Sequence, residues 1–140
     1  MTSPEFNDGL ETGIPEIDAE HALQVQLIRG IKNALRAGTR ISAIELMTQL
    51  DDFTNAHFIA EQLLMRLNGY PAYRDHEEAH DRLIDELRRL RHSVATSETD
   101  HSIATTSSIE RWLVDHIQTA DRALATFLRE KARSEKPPAA

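Results

Sequence analysis

Five histidines, His21, His57, His76, His80 and His116, each fall in phase with the apolar positions of a helical stripe. A chain that folds with those stripes inward must bury the imidazoles as well, together with Glu61, which shares the His57 face, and Asp121 stands five residues beyond His116. Few architectures tolerate that. Apolar residues recur at helical spacing almost throughout, and no segment alternates as a half-buried strand would.

The periodicity predicts four helices after an irregular N-terminal arm, residues 1–16. Asp18 is positioned to cap the first, whose stripe runs Ile17, His21, Val25, Ile28 and Leu35. Ala37-Gly38-Thr39 ends it. The second, about Ile41 to Leu67, places Met47, Leu50, Thr54, His57, Phe58, Glu61, Leu64 and Met65 on one face. The methionines there read as core filler. Asn68-Gly69-Tyr70-Pro71 breaks it, because Gly tolerates left-handed backbone and Pro disfavours helix at the preceding residue. The third helix runs from near Tyr73 to near His92, with Tyr73, His76, His80, Leu83, Ile84, Leu87 and Leu90 inward. Ser93 to about Ser107 is mostly Ser, Thr, Asp and Ala, a composition that reads as a polar connection. A fourth helix is expected from Ser108 or Ile109, turning Trp112, Leu113, His116, Ile117, Ala120, Leu124 and Leu128 inward. Four amphipathic helices with short connections predict an all-α, up-down-up-down four-helix bundle over about residues 17–131, with a frayed tail at 132–140.

At 140 residues the chain accommodates one domain. A formal charge of -7 with intermixed signs argues against nucleic acid or an anionic membrane as partner. With no cysteine there is no disulfide, thiolate zinc site or iron–sulfur cluster, so any metal must be held by nitrogen and oxygen. The polar N-terminus, MTSPEFNDGLETG, carries no signal-peptide or membrane-spanning run, which makes a cytoplasmic location the expectation and membrane insertion unexpected.

His57 and Glu61, and His76 and His80, stand four apart, one helical turn up a single face. His116 and Asp121 stand five apart. Five residues advance about 500°, roughly 140° out of register, so Asp121 needs side-chain reach or a local distortion of the helix to join the others. A lone histidine on an apolar face is usually a hydrogen-bonded core residue. Seven such groups are different, because burying Glu61 and Asp121 without a cation costs about several kcal/mol each, and no Lys or Arg shares the inner stripes. His92 and His101, at a helix end and in the polar connection, read as solvated.

Two other motifs overlap these residues. His76-Glu77-Glu78-Ala79-His80 fits the H-E-x-x-H of zinc proteases, but that assignment leaves His21, His57, Glu61 and His116 without a role and offers no cleft for a peptide. The E-x-x-H of ferritin-like di-iron bundles occurs at Glu77 to His80 and at Glu98 to His101. Its second copy lies in the polar connection, and the set is too rich in imidazole for a carboxylate site.

The run His57-Phe58-Ile59-Ala60-Glu61, then Tyr70-Pro71, His76 and His80, then Trp112-Leu113-Val114-Asp115-His116-Ile117 with Asp121, resembles the hemerythrin family, in particular its bacterial single-domain members. The likeness extends from about Gly13-Ile14-Pro15 and His21 to Asp121. It implies a non-haem centre of two iron ions, bridged by an oxo or hydroxo group, that binds O2 reversibly. Carried over by position, it implies that His76, His80 and His116 hold one iron, that His21 and His57 hold the other, and that Glu61 and Asp121 bridge them. The position after the bridging Glu, often a second Glu in relatives, is Gln62 here, and little effect on the metals is expected from it.

If each iron takes about six ligands, the five imidazoles, two bridging carboxylates and one bridging oxygen leave one position open, beside His21 and His57. There the resemblance places O2, bound end-on as a hydroperoxide. An apolar wall of Leu113, Trp112, Ile117, Phe58 and Ile28 is expected to exclude water and slow loss of the reduced ligand. The expected function is therefore that of an O2 carrier, store or sensor, not an enzyme, and a monomer, with an O2-consuming enzyme as a candidate recipient. The alternative is a di-iron oxidase or a scavenger of peroxide or O2 that uses the same ligands.

Overall fold

A computed structural model describes residues 9–135. Helix α1 spans Pro15–Arg36, α2 Arg40–Leu67, α3 Tyr73–Ala95 and α4 Thr99–His116. A π-helical turn, Ile117–Asp121, then leads without interruption into α5, Arg122–Glu135, so the last three segments form the fourth rod of an all-α bundle. Successive rods reverse direction at short connections. Each packs on two neighbours, α1 on α2 and α4, and α3 on α2 and α4, which closes the bundle around one core.

The three reversals share one device. Gly38, Gly69 and Ser97 follow the ends of α1, α2 and α3 in left-handed conformation, with φ of 76°, 65° and 62°. After α1 the Thr39 amide donates to Ala34 O and the Gly38 amide to Leu35 O, and the same pair of bonds recurs from Tyr70 to Met65 and from Glu98 to Ser93. These bonds satisfy carbonyls that a helix end would otherwise orphan. Arg40 ties two of the turns together, donating to Ser97 Oγ at 2.7 Å and to Ala95 O at 2.6 Å.

Several boundaries differ from the sequence expectation. Pro15 is the first residue of α1 and Ile14 is its cap; Asp18 instead accepts hydrogen bonds from the Thr12 amide at 2.8 Å and hydroxyl at 2.7 Å. That carboxylate anchors the arm, whose Leu10 and Thr12 are buried. Arg122 and Arg129 donate to the Gly9 and Thr12 carbonyls, which fastens the arm to α5. Leu64 is exposed, not inward, because the inner face of α2 passes from Glu61 to Met65.

The largest correction concerns α4, which begins at Thr99 rather than Ser108 or Ile109. Its first two turns present Ser102 and Thr106 to the core, both fully buried. Ser102 donates to Glu98 O and Thr106 to Ser102 O, each at 2.7 Å, and the Ser93 and Ser102 hydroxyls meet at 2.5 Å. Small hydroxyl residues that return their hydrogen bonds to the preceding turn form a buried stripe that hydropathy does not register. His101 thus sits on a helix, exposed as expected, and the expected frayed region from 132 is helical to Glu135. The last residues of that expected tail, 136–140, and residues 1–8 of the expected arm lie outside the described residues. Among the described residues, no helix is long and apolar enough to cross a membrane.

Candidate metal centre

All four rods contribute to one buried cluster. His21 comes from α1, His57 and Glu61 from α2, His76 and His80 from α3, and His116 and Asp121 from the fourth rod, and every one of the seven is 5 % exposed or less. The i,i+4 pairs on α2 and α3 align by ordinary helical geometry. Asp121 does not. It joins because Ile117–Asp121 is a π turn, whose wider i→i+5 winding brings residues five apart onto nearly the same face. The distortion required by the five-residue spacing is present, and it falls between the two residues that need it.

The two carboxylates lie between two groups of histidines. Glu61 Oε1 is 2.5 Å from His76 Nε2 and 3.2 Å from His80 Nε2, whereas Glu61 Oε2 is 3.1 Å from His57 Nε2. Asp121 Oδ1 is 3.0 Å from His76 Nε2 and 3.1 Å from His116 Nε2, whereas Oδ2 is 2.9 Å from His21 Nε2. Each carboxylate therefore presents one oxygen to a three-histidine side and the other to a two-histidine side. Ligand atoms of Glu61, His76, His80, His116 and Asp121 lie within 4.8 Å of one another, as do those of His21, His57 and Glu61.

Proximity has not made these groups hydrogen-bonded partners. Nε2 of His21, His76, His80 and His116, with Glu61 Oε1 and Asp121 Oδ1, are buried and lack a partner of hydrogen-bond geometry. Buried polar atoms are rarely left so. Six that converge fit a cation held between them, and a set of imidazole and carboxylate suits a first-row transition metal.

The electrostatics agree. Burial disfavours protonation of His57, but hydrogen bonding and charge from Glu61, then Glu20, outweigh it and raise its pKa to about 9. His76 reaches about 9 in the same way, with Asp121 and Glu61 overcoming burial. At His80 burial prevails, helped by the charges of His76 and His116, and its pKa falls. Burial would push both carboxyls up, as would the charge of Asp121 at Glu61, yet the histidines packed against Glu61 and Asp121 hold both below the usual range. The site is built around two ionised carboxylates that demand positive charge.

An outer layer orients the rings. Glu20 Oε1 lies 3.3 Å from His57 Nδ1, and Gln62 Nε2 lies 3.3 Å from His80 Nδ1. The Glu20 carboxylate accepts the His57 Nδ1–H and leaves Nε2 to face a metal, whereas Gln62 meets His80 Nδ1 through its carboxamide. The Gln62 contact gives that position a part at the site that sequence reasoning did not assign, and Glu20 was missed because its side chain is 40 % exposed and one residue from His21, off the inner stripe. Phe58 stacks on His80 with ring centroids 3.6 Å apart, and Trp112 on His116 at 4.7 Å. Of the expected apolar wall, Leu113, Ile117 and Ile28 are buried core residues, whereas the two aromatic rings lie flat against the three-histidine side. Glu77, the would-be base of the protease motif, accepts from the Tyr73 hydroxyl and belongs to neither ligand group.

The family model described as "Hemerythrin HHE cation binding domain" matches residues 12–128. A bacteriohemerythrin of Pseudomonas aeruginosa (strain UCBPP-PA14) is 29% identical over 124 residues, 89% of this chain and 80% of the relative. That of Methylococcus capsulatus is 25% identical over 121 residues, 86% of this chain and 89% of the relative. Hemerythrin subunit 1 of Golfingia vulgaris is 30% identical over 116 residues, 83% of this chain and 85% of the relative.

Proposed function

The chain belongs to the hemerythrin family, whose members hold two non-haem iron ions and bind O2, and from that premise we propose that it is a reversible O2 carrier, store or sensor in which binding, not turnover, is the activity. In this reading His76, His80 and His116 hold one iron, His21 and His57 the other, and Glu61 and Asp121 bridge them. The observation that carries it is the split of each carboxylate, one oxygen toward three histidines and one toward two.

Two ferrous ions supply the electrons and the Lewis acidity with which O2 is bound and from which it is released. The protein residues do the rest. Glu61 and Asp121 offset the cationic charge that a core would otherwise reject. Glu20 and Gln62 hold the His57 and His80 rings in orientation. The unequal share of histidines leaves the side of His21 and His57 with fewer protein ligands, and there we place the exogenous ligand. Leu113, Ile117 and Ile28 exclude water around the centre, with Phe58 and Trp112 packed on its far histidines. A cytoplasmic monomer that passes O2 to a consuming enzyme accords with this reading.

The decisive experiment loads the protein anaerobically with ferrous iron, measures iron per chain, and follows visible absorption as O2 is admitted and withdrawn. Two irons and a band that appears and disappears with O2 are expected. A chain left ferric after a single exposure would favour the oxidase or scavenger alternative, and one iron, or zinc, would remove the di-iron centre.

A further inference from the structure

The layer one helical turn beyond the two-histidine side is not uniformly apolar. Gln24 follows His21 by three residues on α1, and Thr54 precedes His57 by three on the antiparallel α2. Both steps therefore run toward the Gly38 end of the bundle, by about 4.5 Å, and keep to the faces that carry the two histidines. Gln24 is 1 % exposed and Thr54 is fully buried. Gln24 Nε2 donates to Thr54 Oγ1 at 3.3 Å, and the His21 and His57 rings face each other at 5.4 Å. The Gln24–Thr54 pair thus lies about one helical turn from the His21–His57 pair, joined to it by the same two helices.

Gln24 Oε1 remains. It is buried and has no partner among the described residues. The expected wall residues of the fourth rod, Leu113 and Ile117, are buried and carry no side-chain donor. An apolar side chain of the same length would fill this space with no polar atom to desolvate, so a buried carboxamide with one end engaged and the other empty is arranged for a group that arrives later.

We propose that Gln24, oriented by Thr54, is a specificity-determining residue that accepts a hydrogen bond from a small, proton-bearing oxygen ligand on the side of His21 and His57. The inference rests on the reading above that this side receives the exogenous ligand. A carbonyl oxygen accepts only. It favours a ligand that carries an O–H and meets an aprotic anion lone pair to lone pair, so it acts with opposite sign on the two classes.

The test compares iron-loaded wild type with Gln24→Met, which keeps side-chain length and removes the carboxamide, and with Thr54→Val, which removes its anchor. Two probes are used, O2 release by the ferrous protein and azide binding by the ferric protein, together with thermal melting of the metal-free chains. Gln24→Met is expected to release O2 about three- to ten-fold faster, the worth of one hydrogen bond, and to bind azide more tightly. Thr54→Val should shift both in the same senses by less. Metal-free Gln24→Met should melt no lower than Thr54→Val, since each loses the Gln24–Thr54 hydrogen bond and Gln24→Met also removes the orphaned carbonyl. Unchanged ligand behaviour overturns the inference, as does a shift of both probes in one direction or a Gln24→Met melting point below that of Thr54→Val, each of which marks a packing role. Wild type that takes up no iron, or does not return O2, overturns the functional reading and this inference together; normal wild type with an unmoved variant overturns this inference alone.

Discussion

Glu61 is the residue on which the centre turns, because it is within reach of His57, His76 and His80 from two rods at once. Its side chain is 3 % exposed, so its removal leaves buried imidazoles with Asp121 and, at His57 alone, Glu20 as counter-charge. Glu61→Ala is expected to abolish stoichiometric iron loading and to cost the metal-free chain about 3 kcal/mol, as loss of one partner of a buried ion pair does. Metal analysis and urea melts check both effects. His101→Ala, on the exposed face of α4, is the control and should alter neither. Six of the candidate ligands were legible in the sequence because each is a polar residue where the helical pattern calls for an apolar one, whereas Asp121 falls off the stripe and was reached only through its resemblance to the family pattern. Gln24 was not picked out: a single glutamine three residues from a histidine carries no such signal until Thr54 appears beside it from another helix.

At the scale of elements, the π turn decides whether Asp121 is a neighbour of His116. Thr119 lies on its exposed outer face. Deleting it would return the segment to α-helical winding with His116 and the aspartate four apart, about 40° out of register, so the pair would stay on one face. Normal helical circular dichroism with two irons retained is the expected outcome; loss of full iron loading would show that the π turn does more than bring Asp121 onto the His116 face. A second prediction concerns the α1–α4 interface, where Glu110 accepts from Lys32 Nζ at 2.8 Å and Arg29 Nε at 3.2 Å. Burial disfavours its charge, but the two cations outweigh that and hold its carboxyl below the usual glutamate range. A carboxyl depressed in the folded state stabilises above its unfolded pKa and stops doing so as pH falls through the folded one. Glu110→Gln should therefore lower the melting temperature slightly at pH 7, by less in high salt because the pair is partly exposed. The gap from wild type should close as the pH drops below about 4.5. The start of α4 shows where pattern reading stops. Ser102 and Thr106 are core residues by position and polar by composition, and only their bonds to the preceding turn reconcile the two.

For the whole molecule, the centre and the fold are one thermodynamic system. Ligands from all four rods meet at the axis, so metal binding by the folded chain and not by the unfolded one must stabilise the bundle. Chelation of iron from the loaded protein is expected to lower the melting temperature by several degrees and leave the helical signal intact at room temperature. A melting point indifferent to iron would place the metal outside the core. The apolar stripes and the histidines in phase with them made the all-α bundle readable from the chain alone, since a period of 3.6 residues and a ban on buried unpaired charge are properties of local sequence. Tertiary structure decided the remainder: which oxygen of each carboxylate faces which histidines, that the helix carrying Asp121 widens to deliver it, and that a carboxamide lies a helical turn from the two-histidine side. Those outcomes depend on distances between residues far apart in the chain, set by how four rods pack, and no single stripe contains them.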